Sequence, residues 1–191
     1  DAHNDGGNVD PDGMPDGVRL VSGSPTPDSM LQGLGPNLDA ALFVGYHAKA
    51  GTPGAVLEHT WRYRVFGVSV GGVELGEFGL GAILAGHFGV PAVYVSGDDK
   101  LAAEERALVP GIAATVVKQG IMRTSAVLLP PDEARARIRA DVEAAVTRRA
   151  DIVPLAWSGD PLLLSFTRVP FCDAAAACPG VRRLDGRTLE I

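Results

Sequence analysis

With 191 residues, the chain is long enough for one ordinary domain and too short for two comfortable ones. Apolar residues at 46% and charged residues at 21% exclude a disordered protein, and a net charge of −6 argues against a nucleic-acid binder, which would show a basic face. No apolar run approaches the roughly 20 residues of a membrane span, and 6% aromatics with 24 Gly and 14 Pro imply a core of Ala, Val and Leu joined by tight turns.

Residues 1–16 are Gly, Asp, Asn and Pro with almost no apolar residue, and read as a loop. Val18 to Val21 reads as a short strand, and Pro27 to Leu31 as a helical turn or two stopped by Gly33 and Gly35. Ala40 to Tyr46 is a continuous apolar run of strand length, as expected when both faces are covered, and it ends at His47. After the loop Gly51-Thr52-Pro53-Gly54, the segments Val65–Val70 and Val73–Leu75 flank Gly71-Gly72 and form a hairpin. Glu77 to Phe88 reads as a helix, rich in small residues, that tertiary packing must hold.

Pro91 to Val95 is a buried strand, closed by Ser96-Gly97-Asp98-Asp99. Asp98 or Asp99 caps a helix from Lys100 to about Leu108. Ile112–Val117 is a strand. Pro131–Arg149 is the clearest helix, with Ala134, Ile138, Val142, Ala145 and Val146 on one stripe. Leu162–Thr167 is a late strand. Strand and helix alternate, so residues 1–191 read as a single α/β domain with a mostly parallel, partly mixed sheet covered by helices. The chain opens on Asp1 without a charged-then-apolar leader and closes on Leu189-Glu190-Ile191, a strand entered but not completed. It therefore reads as an incomplete portion of a longer chain. The lack of a leader and the presence of only Cys172 and Cys178 point to the cytoplasm, the two thiols being ordinary or forming one local bridge.

The chemistry-bearing candidates are few. His47 follows a buried strand, and the carboxyl edge of an α/β sheet is where ligands bind. His59 lies past the Gly/Pro loop and can return to the same edge. Glu77 opens a helix among apolar residues and glycine, so its carboxylate points into a partly dry environment that calls for a cation or strong donors. His3 sits in a polar, glycine-rich stretch that can fold around an ion. His87, at a helix end, satisfies free carbonyls there. His3, His47 and Glu77 make a His/His/carboxylate set that suits Zn(II) or Fe(II), although no local motif enforces it. Asp98 and Asp99 are further candidate carboxylates.

The segment Gly45-Tyr46-His47-Ala48-Lys49-Ala50 resembles the G-Y-H-A-x-A signature of the zinc D-aminopeptidase family typified by the enzyme of dipeptide operons. Asp1-Ala2-His3 followed by Asn8, His59-Thr60, Gly76-Glu77-Phe78-Gly79, Ser96-Gly97-Asp98-Asp99 and Val117-Lys118-Gln119 with Arg123 match further elements in the family's order. The resemblance implies an active site with two zinc ions, metal-ligand positions at His3, His47 and Glu77, and a direct catalytic part for His59 as nucleophile or proton carrier. Asp1, Asn8, Lys118 and Arg123 fall on positions near the metals or the substrate, Asp1 as a partner for the second ring nitrogen of His3. The reaction implied is hydrolysis of short peptides by a metal-activated water, releasing an N-terminal D-amino acid, in ring-shaped homo-oligomers such as decamers. By the same comparison, an N-terminal strand with an Asp-x-Glu-Gly element and a final helix are absent from this chain. The alternatives are a non-catalytic member that binds peptides or metabolites, and an enzyme holding one ion on His3, His47 and Glu77.

Overall fold

The computed structural model describes residues 9–23 and 25–191. The apolar run after Ala40 pairs as strand β1 (Ala41–Phe43). Val65–Val70 (β2) returns as β3 (Val73–Leu75) through Gly71 and Gly72, whose φ angles of 58° and 80° are the left-handed pair a two-residue hairpin turn demands. Helix α1 spans Glu77–His87, and every residue of β4 (Ala92–Asp98) is buried. The Asp98 carboxylate accepts from the backbone N–H groups of Lys100 and Leu101, and so starts α2 (Asp99–Leu108). There follow β5 (Ala113–Met122), β6 (Ser125–Leu128), α3 (Pro131–Thr147), β7 (Leu162–Phe166), α4 (Val169–Ala175), β8 (Arg182–Arg183) and β9 (Thr188–Glu190).

Two sheets result. In the first, ordered β1-β4-β5-β6, β1, β4 and β5 run parallel and β6 turns back antiparallel. Helices α1 and α2 share an apolar cluster with it that contains Phe43, Phe78, Ala82, Val95 and Leu101. Complete burial of a side chain such as Phe78 contributes about 1.5–3 kcal/mol. Helix α3 meets the same sheet through Ile138, Val142 and Ala145, against Val93 and Tyr94. A polar chain fastens it there. The Tyr94 hydroxyl donates to Thr115 Oγ1 at 2.7 Å, and the Thr115 hydroxyl donates to Asp141 Oδ2 at 2.6 Å. The second sheet is antiparallel, ordered β3-β2-β7-β9-β8, and carries α4 on a cluster of Phe166, Cys172 and Leu189. Both cysteines are free, so no local bridge forms. Among the described residues no helix is long and apolar enough to cross a membrane.

Several expectations are corrected. Val18 to Val21 is not a strand; Val18 and Val21 are exposed and no strand pairs with them. The strand expected over Ala40–Tyr46 keeps only Ala41–Phe43, because it lies at a sheet edge and Gly45, at φ 77°, turns the chain away. Its faces are not both covered: Leu42 is 38% exposed and Val44 is 54% exposed. The strand expected to stop at Val117 continues to Met122 and returns as β6, a hairpin without a signal because Ile121, Met122, Val127 and Leu128 are apolar yet exposed. Val146 also points outward from its helix.

Candidate metal centre

The parallel strands deliver their carboxyl ends to one place. Past β1, Gly45 N–H donates to Ser96 Oγ at 3.0 Å and Tyr46 N–H to the Ser96 carbonyl at 2.9 Å. These bonds hold the departing segment alongside β4. The residue after Tyr46 is His47, 9% exposed. Residues 48–60 then loop over the same edge, and Val56 N–H donates to Asp98 Oδ2 at 2.6 Å. The loop ends by placing His59 against His47, with ring centroids 3.8 Å apart and planes inclined by 16°.

Glu77 completes the group. It is the first residue of α1 and 4% exposed, where the positive helix terminus favours a carboxylate. Its Oε1 lies 3.6 Å from Nε2 of His47 and 3.6 Å from Nε2 of His59, and accepts a hydrogen bond from Trp61 N–H at 2.7 Å. The other ring nitrogens face carbonyl oxygens: His47 Nδ1 that of Ala48 at 3.0 Å, His59 Nδ1 that of Leu57 at 2.6 Å. A carbonyl can only accept, so each Nδ1 carries a proton, and each Nε2 is the ring nitrogen directed toward Glu77. One donor atom from each of the three residues falls within 4.8 Å of the others. Two imidazoles and one carboxylate, each imidazole oriented by a carbonyl, form a donor set that fits zinc.

The local backbone is shaped for this. Leu57 and Trp61, on either side of His59, hold φ of 51° and 58°, a region that non-glycine residues enter at a cost of roughly 1–3 kcal/mol. The strain stands where Leu57 offers its carbonyl to His59 and Trp61 its N–H to Glu77. Thr60 is fully buried and accepts from Ala50 N–H at 3.2 Å, joining the two histidine-bearing segments. Arg123, in the β5–β6 turn, donates to the carbonyl and the carboxylate of Glu58 and lies over the Tyr63 ring, so it grips the residue before His59. Tyr46 stays protonated: burial first, and then the Glu77 charge, push its hydroxyl well above the usual range.

The structure therefore brings together His47, His59 and Glu77. His59, expected as the catalyst beside the ligands, is as near to Glu77 as His47 is. His3, Asp1 and Asn8 lie outside the described residues. Lys118 pairs with Asp98 in the β4–β5 register, half-buried and outside the group. His87 is exposed at the end of α1. Neither Asp98 nor Asp99 is in the group: Asp98 caps α2 and holds Val56, while Asp99 accepts from Gly120 N–H at 2.9 Å. Beside the group, a cavity of about 530 Å³ lies between loop residues 49–53, Thr60 and the second sheet. Arg123, which the resemblance places near the metals or the substrate, reaches the site through Glu58; Glu104 reads in the sequence only as an acid in the first turns of its helix, which carries no signal of what it grips.

Comparison with known proteins gives the family and the fold. The Peptidase_M55 family model, described as D-aminopeptidase, matches residues 1–191. A curated D-aminopeptidase of Bacillus subtilis is 34% identical over 170 residues, which is 88% of this chain. The chain spans 62% of that relative's length. A solved structure, the zinc-dependent D-aminopeptidase DppA of Bacillus subtilis, described as a self-compartmentalizing protease, superposes with a TM-score of 0.93 at 30% identity. That match covers 96% of this chain and 68% of the other.

Proposed function

Since the chain belongs to the D-aminopeptidase family Peptidase_M55, we propose that the full-length protein is a zinc-dependent aminopeptidase that hydrolyses short peptides and releases an N-terminal D-amino acid. The observation that carries this reading is the convergence of His47 Nε2, His59 Nε2 and a Glu77 carboxylate oxygen at one sheet edge. Zinc held by His47 and Glu77 with further ligands, two ions in the complete site, would acidify water and polarise a peptide carbonyl. His47 and Glu77 are the holding residues: both are buried, and the hydrogen bonds at His47 Nδ1 and Glu77 Oε1 fix their direction.

His59 is the more open imidazole, its side chain 22% exposed against 9% for His47, so a substrate can reach it. With the proton on Nδ1 held by Leu57, its Nε2 can take a proton from the attacking water and give it to the leaving amine. Arg123 and the strained backbone at Leu57 and Trp61 keep that nitrogen on target. His3, oriented by Asp1, is a further ligand in this reading, and Lys118 lies on the substrate side. We also propose assembly into a ring-shaped homo-oligomer in the cytoplasm, supported by the description of the solved relative as self-compartmentalizing.

The test is hydrolysis of D-alanyl dipeptides and D-aminoacyl amides, against their L counterparts, by the full-length protein with zinc supplied and after chelation. Zinc-dependent turnover with preference for the D series is expected. No turnover of any D substrate by the zinc-loaded protein overturns the assignment and favours the non-catalytic binder.

A further inference from the structure

The structure assigns Glu104, on α2, the role of a positioning residue that sets all three members of the metal group in register. The role rests on the zinc reading above. Its Oε1 accepts from Lys49 N–H at 3.1 Å, two residues past His47. Its Oε2 accepts from the Thr52 hydroxyl at 3.1 Å and lies 3.5 Å from Lys49 Nζ. The same carboxylate lies close beside the residue before Glu77: a Cβ built on Gly76 would stand 3.3 Å from Glu104 Oε1 and 3.1 Å from Lys49 Cβ. From Lys49 the path to His59 is equally short, since the next residue, Ala50, donates its N–H to Thr60.

One half-buried carboxylate therefore binds the backbone that carries His47, lies beside the helix start that carries Glu77, and reaches His59 through one more hydrogen bond. The loop at residues 49–52 has no sheet partner of its own. Its N–H at Lys49 needs an acceptor, and a charged acceptor makes a shorter and stronger bond than a neutral one. Lys49 Nζ offsets the buried charge. None of these atoms is a donor to the metal, so Glu104 acts through the residues it holds. Partners that hydrogen-bond a ligand directly are worth roughly 10–100-fold in metal affinity, and Glu104, bonded two residues from His47, belongs at the lower end.

Two readouts test the assignment in the full-length protein. The first is zinc affinity by competition with a chromogenic chelator. E104A is expected to bind about 10-fold more weakly, and E104Q, which keeps an oxygen for Lys49 N–H, to recover most of the loss. The second needs no metal: long-range ¹H–¹⁵N spectra of the imidazoles, in which E104A moves the His47 and His59 signals and E104Q leaves them near their wild-type positions. T115V serves as the control, losing the buried link between β5 and α3 and thus stability, with zinc affinity unchanged. Wild-type zinc affinity or unmoved imidazole signals in E104A overturn the assignment, as does equal weakening in T115V. If the wild-type protein binds no zinc, the aminopeptidase reading fails by itself, and the metal-free spectra still decide the role of Glu104.

Discussion

Gly76→Ala isolates the close approach on which the site is built. Gly76 has φ −92° and ψ −172°, extended backbone that alanine adopts freely, so the substitution tests contact and not conformation. The new Cβ would lie 3.1 Å from Lys49 Cβ, 3.2 Å from Lys49 Cα and 3.3 Å from Glu104 Oε1, against about 3.5–4.0 Å for a relaxed carbon contact. Lys49 Cα belongs to a backbone held by Glu104, so it cannot step aside cheaply. Overpacking of this kind costs about 1–3 kcal/mol, and alanine in place of glycine at a helix N-cap adds a few tenths. A buried methyl group returns at most about 0.8 kcal/mol. The net loss is about 1–2 kcal/mol, which for a chain of this size lowers Tm by roughly 2–8 °C. Gly67→Ala is the matched control, because its Cβ would meet Ser165 Cβ at 4.0 Å, an ordinary contact. Thermal unfolding of the two variants beside wild type, followed by zinc titration, makes the comparison. Equal Tm in Gly76→Ala and wild type would refute the claim that this junction is tight.

Three further outcomes are expected. Glu77→Gln keeps an oxygen for Trp61 N–H but loses the charge, so Tm should hardly move while zinc affinity, read by chelator competition, falls at least about 100-fold. Thr115→Val leaves the Tyr94 hydroxyl and Asp141 without their shared partner and should destabilise by about 1–3 kcal/mol in chemical denaturation. Glu105 is 1% exposed, and among the described residues its Oε2 meets no hydrogen-bond partner. Burial, and then the Glu104 charge, push its carboxyl from 4.5 up to about 9. The folded state thus holds a proton that the unfolded chain releases, and stability falls as pH rises from 4.5 toward 9. Glu105→Gln removes that loss, so its Tm gain over wild type should be larger at pH 8 than at pH 5; an equal gain at both would contradict a neutral Glu105.

The sequence was most legible where a local rule decides the outcome. Gly71-Gly72 between two β-branched runs leaves little but a hairpin, and Asp98 ahead of Lys100 and Leu101 caps a helix wherever it is placed. The placement of His47 past β1, at the carboxyl edge of the parallel strands, followed from its position after an apolar run. What depended on distant partners was hidden. Leu162–Phe166 reads as a strand, but nothing in it says that it pairs antiparallel with β2 and β9 to make a second sheet. His59 gave only the weak sign of a loop histidine, since its stacking on His47 is created by a loop whose φ values at Leu57 and Trp61 no propensity would suggest.

Arg123 occupies the bend of the β5–β6 hairpin while its guanidinium holds Glu58, the residue just before His59. The hairpin is thereby fastened one residue away from an imidazole. Its sides display Ile121, Met122, Val127 and Leu128 to the surroundings, each more than half exposed. The outermost apolar strip of the first sheet and the clasp of the histidine-bearing loop thus belong to the same hairpin.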